Sequence, residues 1–252
     1  MPADHMQRER AMIRLLALLV LLPLAVQAQE RIDIPSRPGI TVPVYVTPAA
    51  KPVGTAVLFP GGSGQVSAIR NNFLLRVAPS FVAQGLTVAV VDVPSDRSNG
   101  LDWSFRAGAD HAKDIAAVVA MLKSRSPLPV WLIGTSNGSV SAGNGAASLG
   151  PPSVAGVILT SSVWVRGMPH VAAERIRVPV LIVHNRDDGC VASPFGQTEA
   201  FKARLTVAQS VTFIPVSGGT SRGDPCQAMS PHGYLGIEDR VVPQMIGWIK
   251  AH

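Results

Sequence analysis

A chain of 252 residues with 47% hydrophobic and only 15% charged residues has apolar material for one large core, which excludes disordered, collagen-like and coiled-coil classes. The net charge of +6 raises nucleic acid as a partner, but no run of Lys and Arg exceeds two and aromatic residues make up 5%. With neither a basic stripe nor a stacking platform, nucleic-acid binding is excluded.

Residues 1–28 come first. Arg8, Arg10 and Arg14 precede twelve uncharged, largely apolar residues, Leu15 to Val26, and Val26-Gln27-Ala28 follows. Basic, apolar and small-residue regions in that order describe a secretory signal peptide cut after Ala28. Twelve helical residues span about 18 Å against a hydrocarbon core of about 30 Å, and Pro23 interrupts them. Export to the periplasm or the medium is therefore expected, with no stable membrane anchor after cleavage. One domain is expected over residues 29–252. It holds two cysteines, Cys190 and Cys226, and an even number in an exported chain predicts a disulfide between them.

Short apolar, β-branched runs then alternate with segments of helical period. The strands are expected at 41–47, 55–59, 87–93, 130–134, 154–160, 178–184 and 211–216, and the helices at 72–84, 107–123, 137–147, 194–205 and 236–250. Several of the strands are apolar almost without alternation, as strands covered on both faces should be. The class predicted is α/β, with a mainly parallel central sheet flanked by helices on both faces. In such sheets the chemistry sits on loops beyond the carboxyl ends of strands.

Four of those loops carry informative residues. Pro60-Gly61-Gly62-Ser63-Gly64 follows the second expected strand. It is not a phosphate cradle, because no Gly-Lys-Ser/Thr follows and the spacing misses the dinucleotide fingerprint. Gly134-Thr135-Ser136-Asn137-Gly138 lies between a buried strand and a helix rich in small residues, where a nucleophile elbow must be. A serine hydroxyl needs a base, and the base an orienting acid. Among the histidines only His232 stands in a turn-rich loop between the last strand and the last helix. For the acid, Asp187 and Asp188 both follow the strand ending at His184. No metal-ligand spacing appears, and no cofactor is expected.

The elbow, the two aspartates and His232 together resemble the α/β-hydrolase family across essentially all of residues 29–252, and the chain order Ser136, Asp, His232 is that family's order. The resemblance implies Asp188 as the acid, since the family's acid commonly stands three residues before a valine, here Val191. It also implies an oxyanion hole made by the N–H of Asn137 and an N–H of the 60–64 loop, which is similar to the family's His-Gly-Gly-x loop with Pro60 where His often stands. Gly62 is the expected second donor, with Ser63 as the alternative. About seventeen residues separate Thr160 from Val178, too few for the lid domain that many members insert there. The chain thus looks like small lidless members similar to dienelactone hydrolase, with a departure: that enzyme's nucleophile is a cysteine.

The function these features predict is an exported serine hydrolase acting on a small-molecule carboxylic ester. A peptidase or acyltransferase would use the same triad, and a non-catalytic binding domain would keep only the scaffold. Trp164 and the segment Asp102-Trp103-Ser104-Phe105 lie beyond strand ends, either lining an acyl or alcohol pocket or folding back on the core. The sequence leaves the oligomeric state open.

Overall fold

A strand that is apolar at every position has to be covered on both faces. The computed structural model, which describes residues 28–252, meets that demand with one eight-stranded sheet between two helical layers. The export signal expected over 1–28 lies outside the described residues, apart from Ala28. The strands are β1 (Glu30–Pro35), β2 (Thr41–Thr47), β3 (Gly54–Phe59), β4 (Leu86–Val91), β5 (Val130–Thr135), β6 (Gly156–Thr160), β7 (Val180–Asn185) and β8 (Val211–Val216). The helices are α1 (Phe73–Ala83), α2 (Trp103–Ala107), α3 (Ala109–Arg125), α4 (Asn137–Leu149), α5 (Thr198–Lys202) and α6 (Glu238–Ala251).

The sheet order is β1-β2-β4-β3-β5-β6-β7-β8; β2 runs antiparallel to both of its neighbours and every other pairing is parallel. The chain leaves β3 for β4 on one side and returns to place β5 on the other. The loops after β3 and β5 therefore meet at a topological switch point, the usual place for a ligand crevice.

Every residue of β3, β5, β6 and β7 is buried. Alternate residues serve two separate cores. In β5, Val130 and Leu132 pack with Ile115 and Val118 of α3 and Val140 of α4. Trp131 and Ile133 pack on the other face with Phe73 and Phe81 of α1 and Val241 and Met245 of α6. Each such side chain contributes about 1.5–3 kcal/mol of transfer free energy, so the four of β5 alone anchor both layers.

The seven expected strands are present. β1 is an addition: it pairs with β2 at the sheet edge and buries only Ile34. The helix expected over 194–205 forms in part, as a 3-10 turn at Phe195–Gln197 followed by α5. Between β6 and β7 lie two single 3-10 turns, Met168–His170 and Ala173–Arg175, and no cap domain. Among the described residues, no helix is long and apolar enough to cross a membrane.

Candidate active site

At the junction of β5 and α4 the backbone of Ser136 takes φ 53° and ψ −127°, a region non-glycine residues rarely occupy. Its N–H is fixed by the carbonyl of Thr160 at 3.0 Å, on the end of the adjacent strand. The turn is closed so tightly that a Cβ on Gly134 would lie 2.2 Å from the Gly138 carbonyl oxygen, and one on Gly138 would lie 1.9 Å from that of Phe59. Only glycine fits at either place. The result is a sharp strand-to-helix elbow with Ser136 at its tip.

His232 lies in a single 3-10 turn, Pro231–Gly233, between β8 and α6. Ser136 Oγ donates to its Nε2 at 2.9 Å, and its Nδ1–H donates to Asp188 Oδ2 at 2.8 Å. The Asp188 side chain is fully buried and its other oxygen accepts the N–H of Cys190 at 2.9 Å. Asp187 points elsewhere, accepting the N–H of Gly218 at 2.6 Å. Of the two aspartates open to the sequence reading, the structure sets Asp188 on the histidine.

Further buried and half-buried polar groups hold these loops, and sequence reasoning missed them. Asn185, the last residue of β7, donates to the carbonyls of Gly218 (2.9 Å) and Pro231 (3.1 Å), tying the acid loop to the histidine turn. Arg76 of α1 donates to the carbonyls of Ala228 and Gly233 and pairs with Glu238 at 2.6 Å. Tyr234, in a left-handed conformation, donates to the Val183 carbonyl at 2.8 Å and accepts the Ser161 N–H at 3.0 Å. Burial pushes its phenol pKa well above the ordinary value. The available signal was position: an asparagine closing an apolar strand, and a tyrosine directly after His-Gly.

Cys190 and Cys226 are joined in a disulfide that links the acid loop to the segment before the histidine turn. His184, the other imidazole near Asp188, is buried and donates through Nε2 to the Ser193 carbonyl at 2.8 Å. Burial is the main cause of a pKa below the ordinary histidine value, so this ring is neutral.

The 60–64 loop abuts the elbow: a Cβ on Gly61 would lie 2.8 Å from that of Ser136. Gly62 has φ 57°, and no acceptor among the described residues takes the N–H of Gly62 or of Ser63. The first-turn N–H of Asn137 has no partner within its helix, and its side-chain amide donates to the Gly62 carbonyl at 3.3 Å.

An open cleft of about 650 Å³ leads to Ser136 and His232, with Ile69, Phe73, Val163, Ala192 and Met229 as apolar walls and Arg70, Arg222 and Asp224 among its polar ones. Trp164 is not part of it. It is buried and packs against His184 and Phe201, so of its two expected roles the structure gives the core. Asp102, Ser104 and Phe105 border a separate depression of about 410 Å³, while Trp103 stacks on His170.

No family model matches the chain, and no curated protein matches its sequence. Solved structures do. A carboxyl esterase from Bacillus coagulans, described as highly thermostable, is similar with a TM-score of 0.67 and 14% identity over 89% of this chain and 98% of that one. An α/β serine hydrolase without a lid from Xanthomonas campestris gives a TM-score of 0.60 and 17% identity over 86% and 94%. The fold is that of the α/β hydrolases. An α/β serine hydrolase homologue from Coxiella burnetii gives 0.57 and 21% over 75% and 88%. At such identities the likeness is one of fold, and the short connection between β6 and β7 makes this a lidless α/β-hydrolase fold.

The disulfide closes a sequence separation of 36 residues, for which the chain-entropy account gives about 4 kcal/mol. The paired Cys190→Ser and Cys226→Ser variant is expected to lose up to that amount in guanidinium unfolding under non-reducing conditions. An unchanged midpoint would mean that the hydrogen bonds of Asn185 hold the two loops without it.

Proposed function

We propose that this protein is an exported serine hydrolase that cleaves carboxylic esters through an acyl-enzyme, with Ser136 as nucleophile, His232 as general base and Asp188 as orienting acid. The observation that carries the reading is the unbroken hydrogen-bond line from Ser136 Oγ through His232 to Asp188, starting from a serine at a strained elbow. The esterase and serine-hydrolase descriptions of the similar structures lend it support. Export rests on the character of residues 1–28 and agrees with a disulfide, which persists in oxidising compartments.

The chemistry follows from the geometry. As Ser136 Oγ bonds to the ester carbonyl carbon, its proton passes to His232 Nε2, and the carbonyl π electrons move onto oxygen. The imidazolium is stabilised by Asp188 through Nδ1–H. The N–H groups of Asn137 and Gly62 serve as donors to the oxyanion, with Ser63 as the alternative to Gly62. Collapse of the tetrahedral intermediate breaks the bond to the alcohol, which leaves with the proton from Nε2. Water then attacks the acyl-enzyme with His232 again taking a proton, and the carboxylic acid departs as Ser136 recovers its hydrogen. The substrate is a small-molecule ester. An open cleft with no cap favours short acyl chains.

Ser136→Ala is expected to abolish labelling by a fluorophosphonate probe while the fold persists. Asp188→Asn should lower kcat by up to about 10⁴-fold, by the measure of known triads, and Asp187→Asn much less. Labelling of the alanine variant, or the reverse ranking of the aspartates, would overturn these assignments.

Across p-nitrophenyl esters of increasing chain length, kcat/KM should peak at short acyl chains, without activation at a lipid–water interface. Preference for emulsified long-chain triglycerides would contradict the open site, and faster cleavage of aminoacyl nitroanilides would make the protein a peptidase.

A further inference from the structure

Arg106, near the end of α2, is 1% exposed and has no ion-pair partner among the described residues. A buried guanidinium without a carboxylate is costly, and its hydrogen bonds must answer for it. Nη1 donates to Ser141 Oγ on α4 at 2.8 Å; Nη2 reaches the carbonyl oxygens of Pro60 at 3.3 Å and Gly62 at 3.4 Å. Burial draws its pKa down to about 10, so it keeps its charge at neutral pH.

Those two carbonyls belong to the loop that abuts Ser136. Gly61 and Gly62 have little conformational preference of their own, so their peptide planes need fixing from outside. Arg106 takes hold of the planes before and after the Gly61–Gly62 peptide, while the Gly61 carbonyl between them accepts the Gly64 N–H at 3.1 Å. Three consecutive carbonyls are thus occupied, and the N–H groups of Gly62 and Ser63 have no acceptor. The loop is shaped to admit the guanidinium: a Cβ on Gly64 would lie 2.7 Å from Nη2. On the other side Ser141, accepting from Arg106, bonds at 2.9 Å to Nε2 of His111, whose burial lowers its pKa to about 3 and keeps it a neutral acceptor.

We propose that Arg106 is a positioning residue for the reaction: by pinning the Pro60 and Gly62 carbonyls to α4 it fixes the loop N–H groups that receive the oxyanion. The inference rests on the proposed esterase reading. It also separates Arg106 from a merely structural cation, because a positioning role acts on the transition state more than on substrate binding.

The test uses Arg106→Lys, which keeps a charge but lacks the fork that holds Ser141 with one nitrogen and both carbonyls with the other, together with Arg106→Met and Ser141→Ala. Each is assayed on a short-chain p-nitrophenyl ester, with kcat referred to active sites titrated by a fluorophosphonate, and with the inhibition constant of an alkyl boronic acid measured in parallel. Removing an oxyanion donor costs about 10²–10³ in kcat, so a donor left in place but unfixed should cost about tenfold or more. That fall is expected in Arg106→Lys and Arg106→Met, with KM changed less than about twofold and boronate affinity falling alongside kcat. Ser141→Ala, which frees one side of the guanidinium and leaves the loop untouched, should show a smaller loss of the same kind, and it decides the matter if the Arg106 variants do not fold. Wild-type kcat per titrated site in the folded variants, or a loss confined to KM or to melting temperature, would overturn the role of Arg106 while leaving the triad standing. A wild-type protein with neither turnover nor labelling at Ser136 would overturn both.

Discussion

At the carboxyl end of β5 the first turn of α4 passes so close to the ends of β3 and β5 that neither Gly134 nor Gly138 has room for a methyl group. This approach goes with a positive φ at Ser136, a backbone state that costs about 1–3 kcal/mol for a residue other than glycine. The cost is borne by the two cores that the fully buried residues of β5 hold together. Everything else at the site is arranged around a serine that cannot retreat into the sheet.

The partners of that serine come from loops with no apolar core of their own. They are held instead by buried and half-buried polar contacts of long sequence separation, Asn185 to Gly218 and Pro231, Arg76 to Ala228 and Gly233 and Tyr234 to the ends of β6 and β7, and by the disulfide. Satisfied networks of this kind stiffen a site because each member left unpaired would pay its full desolvation penalty. The division is consistent. Hydrophobic burial sets the strands, and hydrogen bonds set the loops.

That division also decides what could be read from the sequence. Strands buried on both faces announce themselves as continuous apolar runs, and seven were legible. β1 was not, because at the sheet edge it presents five of six residues that are not buried. α2 is five residues long and is marked mainly by Asp102, whose carboxylate accepts the Phe105 N–H at 2.8 Å; such a cap is visible only once the helix is known. Trp164 gave no local sign of whether it faced the cleft or the core. Ser136 and His232 were legible because their loops have distinctive composition. Asp188 was separated from Asp187 only by the family's spacing to a valine, and Val191 is 85% exposed, so that spacing reflects the course of the turn and not a packing contact. Arg106 was hidden entirely: nothing local says that an arginine in a short helix is buried against the carbonyls of Pro60 and Gly62.

His184 stands 3.6 Å from Asp188 Oδ2, just beyond hydrogen-bond reach of the oxygen that His232 holds at 2.8 Å, and is kept neutral by its surroundings. Charges superpose, so a second cation beside Asp188 would leave the carboxylate's pull on His232 unchanged but would repel any positive charge placed there. With His184 held neutral, no such repulsion reaches the ring that is hydrogen-bonded to both Ser136 and Asp188. The aromatic wall formed by Trp164 behind His184 therefore has an electrical consequence: by helping to bury that ring it keeps a competing positive charge away from its neighbour.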